Sequence, residues 1–146
     1  MSTASPFLAF LGIREEAGDD DADTAGSGLA GPTHRYVIDF REEHLGNPLI
    51  RTFHGGILAS VGETVAAMHL ARERGEATLP ACATMTFDYL RPAFAKALVV
   101  VPHTVRAGKR ITTVSVQLRQ EGQLVCIGRF LFPTPAGGTQ QENPRT

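Results

Sequence analysis

The sequence lacks most of the features that identify a protein class at once. It has only two cysteines, Cys82 and Cys126, and neither lies in a CxxC pair or beside a histidine cluster. Both fall in apolar, strand-like stretches, so we expect buried, reduced thiols and neither a disulfide nor a metal site. The 14 basic and 15 acidic residues give a net charge of −1. That balance argues against a broad electrostatic surface for nucleic acid or an anionic membrane.

Long hydrophobic runs are also missing. No apolar run approaches the ~20 residues that span a bilayer. The short stretch FLAFLGI near the N-terminus has no basic segment ahead of it, so we predict no signal peptide. We therefore expect a cytoplasmic protein without a membrane or nucleic-acid partner. Hydrophobic residues make up 42% of the 146, which is enough for one domain with one core.

Composition divides the chain into three parts. Within residues 1–33, SPFLAFLGIREE (5–16) is predicted to form a short helix capped by Ser5, and the acidic stretch 17–32 is predicted to be a flexible loop. Residues 34–132 hold the long periodic segments and form the predicted domain. Residues 133–146, rich in proline, glycine and polar residues, are predicted to be a disordered tail.

Within residues 34–132 the spacing of the apolar residues changes from the two-residue repeat of a strand to the ~3.6-residue repeat of a helix, and then back. HRYVIDFR (34–41) alternates as a strand, and a helix is predicted from about Gly55 to Arg74, where Gly75 ends it. Four further strands are predicted at 82–90, 97–106, 111–119 and 123–132. Short turns between the last three predict antiparallel hairpins. The order indicates an α+β domain whose helix covers one face of a mostly antiparallel sheet.

The predicted helix carries one carboxylate, Glu63, among small and apolar residues. On a helical wheel Glu63 lies nearly opposite the apolar stripe that faces the sheet. Its uncharged neighbours on that side are Ala59, Ser60, Ala66, Ala67 and Leu70. We therefore expect this face to be covered too, by another subunit or by a ligand. A carboxylate there is costly unless it is paired or used, so Glu63 is a candidate functional residue, with a structural hydrogen bond as the alternative.

A glycine pair stands at the predicted helix start. Gly55 and Gly56 follow His54, at a point where free N–H groups carry a partial positive charge. Without side chains, the pair would let a substrate oxygen approach these donors. The alternative is that the glycines only permit a sharp turn into the helix. His54 either orients this loop through a cap or turn hydrogen bond, or reaches the substrate.

These residues resemble a known family, the hotdog-fold acyl-CoA thioesterases, in particular the phenylacetate-degradation (PaaI-like) branch. The motifs that carry the resemblance are His54-Gly55-Gly56 with Glu63 nine positions after the histidine, DYLRPA (88–93), RAGKR (106–110) and QLVCIGRFLF (123–132). The resemblance covers about residues 34–132. It implies a hotdog fold, with a long central helix wrapped by a five-stranded antiparallel sheet. At position 63 this chain has glutamate where aspartate is commoner in the family. In this respect it resembles the hydroxybenzoyl-CoA thioesterase branch.

The resemblance also implies an activity and its residues. The substrate would be an acyl-CoA or aryl-CoA thioester, hydrolysed without a metal or redox cofactor. Glu63 would act as nucleophile or as general base for water, and the N–H of Gly55 would polarise the thioester carbonyl. Two subunits would join edge to edge, as a homodimer or a pair of such dimers, with each active site at the interface.

The polar support of Glu63 departs from the family pattern. Many relatives carry Asn or Gln six residues before the histidine, where this chain has Pro48. Either a shifted loop lets Asn47 take that role, or the role is absent. Ala67 stands where some relatives have Thr or Ser.

Coenzyme A brings phosphates, so basic residues should converge on it. Arg91, Lys109 and Arg110 are the candidates, and Thr112 is a candidate partner of the pantetheine amides, with Gly56 beside the substrate. The alternative is that Lys and Arg in hairpin turns serve solubility and threonine is simply a good strand residue.

Two other functions stay open on the sequence. A non-catalytic acyl-CoA-binding protein is compatible with Pro48 and Ala67. A hotdog enoyl-thioester hydratase or dehydratase is suggested by HLGNP (44–48), although His44 lies 19 positions before Glu63 and the glycine pair is not part of that pattern.

Overall fold

The structure of the protein, a computed structural model, describes residues 5–17 and 34–135. Its helices and strands in chain order are α1 (Pro6–Leu11), β1 (Ile13–Ala17), β2 (His34–Ile38), a single 3-10 turn (Glu42–His44), β3 (Leu45–Asn47), β4 (Thr52–Phe53), α2 (Gly55–Arg74), β5 (Thr84–Tyr89), β6 (Leu98–Ala107), β7 (Ile111–Gln120) and β8 (Gln123–Pro133). No helix in these ranges is both long and apolar enough to cross a membrane.

Six strands form one antiparallel sheet in the order β1-β2-β6-β7-β8-β5. Helix α2 packs on β5, β6, β7 and β8. Burial alternates along β7, whose residues at every second position from Thr112 to Gln120 are buried. The prediction of an α+β domain with one long helix on a mostly antiparallel sheet is therefore confirmed, and all five predicted strands are present.

A sixth strand comes from the segment that the sequence predicts as a helix over residues 5–16. Helix α1 ends at Leu11, because Gly12 adopts the left-handed conformation (φ 65°) and its N–H bonds to the Leu8 carbonyl. The next five residues pair with β2 as strand β1. Ser5 is the N-cap residue, but its side chain makes no cap hydrogen bond. The predicted acidic loop and most of the predicted tail lie outside the described residues.

Eight of the 20 residues of helix α2 are buried. Its core-facing residues include Leu58, Val61 and Val65, but Ala66, Ala67 and Leu70 are also buried, within the same chain. The expectation that these last three need a second subunit or a ligand to cover them is therefore wrong, because the chain's own core already covers them. Between Gly55 and Ala71 only Gly56 and Glu63 are exposed. These two positions are seven residues apart and share one stripe of the helix.

Two glycines allow α2 to approach the sheet closely. A Cβ on Gly62 would lie 2.9 Å from both Phe130 Cζ and Phe87 Cε2, and a Cβ on Gly128 would lie 2.5 Å from Phe130 Cε2. The two phenylalanine rings fill the space between helix and β8, with centroids 6.4 Å apart. This packing fixes how α2 is rotated on the sheet and hence which residues it turns outward.

We predict that Gly62→Ala destabilises the protein. Alanine gains up to about 1 kcal/mol of helix propensity over glycine, but the added methyl overpacks two rings, which costs about 1–3 kcal/mol. The overpacking term wins, so the free energy of unfolding in urea should fall by about 1 kcal/mol. The loss caused by Gly62→Ala should be smaller in a Phe87→Leu background than in the wild-type background, because one of the two overpacked rings is gone. A Gly62→Ala variant as stable as the wild type would contradict the packing argument.

Candidate active site

The loop before α2 is held by backbone contacts. His54 N–H donates to the His44 carbonyl at 2.8 Å, and a Cβ on Gly46 would lie 2.5 Å from His54 Cα, so only glycine fits there. The His44 ring is fully buried, with Nε2 2.9 Å from the Phe10 carbonyl. His44 therefore supports the loop from inside the core, which removes the feature that suggested a hydratase or dehydratase.

Helix α2 begins with four N–H groups that need acceptors, and three of them have one. The His54 N–H donates to the His44 carbonyl at 2.8 Å, and the Ile57 N–H donates to the His54 carbonyl at 3.0 Å. His54 Nδ1 accepts from Gly56 N–H at 2.9 Å, so the imidazole forms the cap hydrogen bond that was one of its two predicted roles. The proton of the neutral ring then sits on Nε2. The Gly56 N–H is thereby occupied and is not a free donor.

The fourth N–H, that of Gly55, has no acceptor within the described parts of the chain. The carbonyl of the same residue accepts from the Tyr89 hydroxyl at 2.8 Å. Beside Gly55 lies a cavity of about 290 Å³, whose walls come from β4, from the start of α2 at Gly55 and Leu58, and from Tyr89 through Ala93. The first turn of α2 therefore offers one unpaired donor next to a cavity.

Glu63 is exposed on the same helix, eight residues after Gly55. At 1.5 Å per residue its Cα lies about 12 Å along the axis, and side chains on a helix tilt back toward the N-terminus. Within residues 5–17 and 34–135 no hydrogen bond or ion pair engages the Glu63 carboxylate, so the structural hydrogen bond considered as an alternative is not formed there. Glu63 does not line the cavity beside Gly55.

Asn47 lies in β3, opposite Thr52 of β4. Its Oδ1 accepts from Leu49 N–H at 2.9 Å, which forms a turn across Pro48. The side-chain oxygen is thus committed to the loop, whereas the amide nitrogen remains as a donor on this exposed residue.

The predicted coenzyme A residues fall into two groups. Arg91 lines the cavity beside Gly55, and its Nη1 donates to the Leu124 carbonyl at 3.0 Å. Lys109 and Arg110 line a separate, open cavity of about 720 Å³ at the β6–β7 turn, together with Arg106, which the sequence reasoning did not single out.

Thr112 lies near that turn but is only 2% exposed. Its hydroxyl accepts from Arg74 Nη2 at 3.1 Å, at the last residue of α2. A 20-residue helix spans about 30 Å. Within one chain, therefore, Lys109, Arg110 and Thr112 lie at the opposite end of α2 from Gly55, and the Thr112 hydroxyl is an internal contact.

The two cysteines differ from one another. Cys126 is buried as predicted, and burial raises the pKa of its thiol to about 11. Cys82 is only half-buried, which corrects the expectation of two buried thiols, because it lies at the open start of the segment leading into β5. The pKa of the Cys82 thiol is raised mainly by burial and next by the negative charge of Glu63. Glu63 is therefore near enough to Cys82 for its charge to act on the thiol.

We predict that Glu63→Gln makes Cys82 more reactive toward iodoacetamide at pH 8. Removing the carboxylate removes one cause of the raised pKa, so more of the thiol is ionised, while burial keeps the pKa above its ordinary value. Mass spectrometry of timed samples measures the rate. Glu73→Gln, which removes a carboxylate from the same helix, serves as the matched control and should leave the rate unchanged. Equal rates in the wild type and Glu63→Gln would show that the two side chains are not neighbours.

Comparisons with known proteins agree on one family. The family model named acyl-CoA thioesterase N-terminal domain matches residues 45–132 of this chain. A solved protein of the thioesterase superfamily is 30% identical, with a TM-score of 0.72 and 89% of each chain covered. Among curated proteins no relative matches the sequence.

Two further solved structures share the fold at lower identity. One is a phenylacetic acid degradation-related protein from Ralstonia eutropha, 21% identical, with a TM-score of 0.71, covering 90% of this chain and 91% of that one. The other is a Bacillus halodurans protein solved with CoA, 22% identical, with a TM-score of 0.60, covering 68% of this chain and 65% of that one. By its sequence and its fold, this chain belongs to the hotdog-fold acyl-CoA thioesterase family.

Proposed function

We propose that this protein hydrolyses an acyl-CoA or aryl-CoA thioester, with Glu63 as general base or nucleophile and the Gly55 N–H as the donor that polarises the carbonyl. The observation that supports this most is the unpaired Gly55 N–H beside a cavity, on the same helix as an exposed, unengaged carboxylate. In the PaaI-like branch that the motifs resemble, these positions carry the same roles.

The chemistry needs only these two groups. As the thioester carbonyl is attacked, negative charge grows on its oxygen, and a fixed N–H at a helix N-terminus stabilises that charge. The carboxylate either removes a proton from the attacking water or attacks the carbonyl itself. Gly56 cannot replace Gly55 as the donor, because its N–H already bonds to His54 Nδ1.

A second copy of the chain would complete the site through the edge of the sheet. Of the two edge strands, β1 carries Arg14, Glu15 and Glu16, charged residues that protect an edge from pairing. Strand β5, at the other edge, carries one charged residue in six, Asp88. We infer that two chains pair antiparallel through β5, burying its free backbone groups and covering the Glu63 face.

Such pairing would bring the basic turn to the correct end of the site. Tyr89, at one end of β5, contacts Gly55, whereas Thr84, at the other end, lies opposite Leu131, near the strand ends beside Lys109 and Arg110. Antiparallel pairing reverses the second copy, so its basic turn would lie toward the Gly55 end of the first. The phosphates of coenzyme A could then be bound by one chain while the thioester meets Gly55 and Glu63 of the other.

We predict that Gly55→Pro abolishes turnover of CoA thioesters while Gly55→Ala retains it. Gly55 is the first residue of α2, where proline is well tolerated. The preceding residue, His54, already has φ −63° and ψ 133°, the conformation favoured before proline. Proline therefore removes one N–H that bonds to no described residue, and kcat should fall roughly 10²–10³-fold. A Cβ at this position meets Tyr89 only at 3.4 Å, so alanine is a matched control.

The assay uses a panel of acyl- and aryl-CoA thioesters with a thiol-trapping reagent, and Glu63→Gln should be inactive on every member. If Gly55→Pro keeps the activity of Gly55→Ala, the N–H has no polarising role. Tight binding of CoA thioesters with no turnover by the wild type would instead support a binding protein.

We also predict that the site is shared between chains. Sedimentation should give a species of twice the 15.7 kDa chain mass. Glu63→Gln and Arg110→Ala chains, each defective at low substrate concentration, should regain activity when mixed, because each mixed dimer contains one site with both residues intact. A monomeric mass, or no recovery on mixing, would contradict a shared site.

A further inference from the structure

We propose that Tyr89 and His54 are positioning residues that hold the Gly55–Gly56 peptide from both sides and so aim the free Gly55 N–H into the site. The resemblance to the thioesterases gives Tyr89 no role, and for His54 the sequence predicts only a cap or turn hydrogen bond or a contact with the substrate. The inference rests on the proposed function only for what the aimed N–H does, and the holding of the peptide stands on geometry alone.

The two hydrogen bonds meet on a single peptide group. The Tyr89 hydroxyl donates to the Gly55 carbonyl oxygen at 2.8 Å, and the amide of the same peptide, Gly56 N–H, donates to His54 Nδ1 at 2.9 Å. Because a peptide is planar, fixing its oxygen and its nitrogen fixes the orientation of the whole plane. That plane ends at the Gly55 Cα, which is bonded to the nitrogen of the free N–H.

External hydrogen bonds are needed here because glycine supplies no restraint of its own. A glycine lacks the Cβ that limits φ and ψ in other residues, so two in succession leave the helix start loosely defined. A donor that stabilises a developing oxyanion works only if its direction is set before the reaction. The hydrogen bonds from Tyr89 and to His54 restrain the backbone that the glycine pair leaves free.

Tyr89 is itself well fixed, although half of it is exposed. Its ring packs edge-on against Phe87, with centroids 4.9 Å apart, and its ring edge lies about 3.4 Å from the position that a Gly55 Cβ would take. Burial of part of the ring raises the pKa of the phenol, so the hydroxyl stays protonated and able to donate at neutral pH. The following residues, Leu90 to Ala93, form the cavity wall, so one short segment both shapes the cavity and fixes the donor.

The test compares Tyr89→Phe with Tyr36→Phe. Tyr36 is the only other tyrosine and lies buried on β2, separated from β5 by three strands. Tyr89→Phe keeps the ring and removes only the hydroxyl, so kcat should fall about tenfold, less than the 10²–10³-fold of losing the donor itself. KM for the same CoA thioester should change by less than about twofold, since ground-state contacts are retained. Tyr36→Phe should leave both constants unchanged.

A second measurement does not depend on turnover. Amide hydrogen exchange of Gly56, followed by NMR, should be faster in Tyr89→Phe than in the wild type and unaltered in Tyr36→Phe, because releasing the carbonyl frees the peptide plane. His54→Ala should also speed Gly56 exchange and lower kcat, whereas His54→Asn, whose side-chain oxygen can cap the helix, should recover part of both.

Each outcome decides the proposal. Faster Gly56 exchange together with a kcat-specific loss supports it. Unchanged exchange in Tyr89→Phe, or an unchanged kcat, overturns it, as does an equal loss in Tyr36→Phe. If the wild type hydrolyses no CoA thioester, the proposed function fails, and the exchange rates alone then decide whether Tyr89 holds the peptide.

Discussion

The first turn of α2 is the constraint on which the rest of the site depends. Its four N–H groups must find acceptors or remain available to a ligand. The N–H of His54 donates to the His44 carbonyl, those of Gly56 and Ile57 donate to the ring and the carbonyl of His54, and only the Gly55 N–H remains. A helix start that caps itself completely would bind nothing, and one that is wholly uncapped would be poorly ordered. This chain retains a single donor and surrounds it with contacts that fix its direction.

The remainder of the fold determines where that donor and the carboxylate point. Gly62 and Gly128 bring α2 close to Phe87 and Phe130, so the helix cannot rotate on the sheet without a steric clash. With the core-facing residues held inward, the two exposed positions of the first four turns are Gly56 and Glu63. The site is thus a consequence of close packing on the far side of the helix as much as of the residues at the site itself.

Most of the fold could be predicted from the sequence because the evidence for it is local. The change from alternating to helical periodicity, the breaker at Gly75 and the short turns between strands each depend on neighbouring residues. Strand β1 could not be foreseen, because IREEA has no clear alternation and is a strand only through pairing with β2 and the end of α1 at Gly12. Covering of Ala66 and Ala67 was predicted, but the sequence could not show that the same chain supplies it, because the core contacts join segments far apart in sequence.

For the candidate site, Glu63, Gly55 and His54 could be found because they are close in sequence, on one helix start. Tyr89 could not be given its role, because it lies 34 residues from Gly55 and its hydroxyl could have pointed anywhere. Lys109 and Arg110 are also far from Gly55 in sequence. Within a single chain they remain far from it in space, at the other end of α2.

The unequal edges of the sheet bear on how large an assembly this chain can build. One edge, β5, presents an almost uncharged strand, and the other, β1, is lined with charge and tied by Arg14 to Asp39 across the sheet. If two copies join through β5, as proposed, the charges of β1 would disfavour strand pairing at the remaining edge of the sheet. Strand addition would then end at a dimer, and the three charges of IREEA would protect this open sheet from forming fibres.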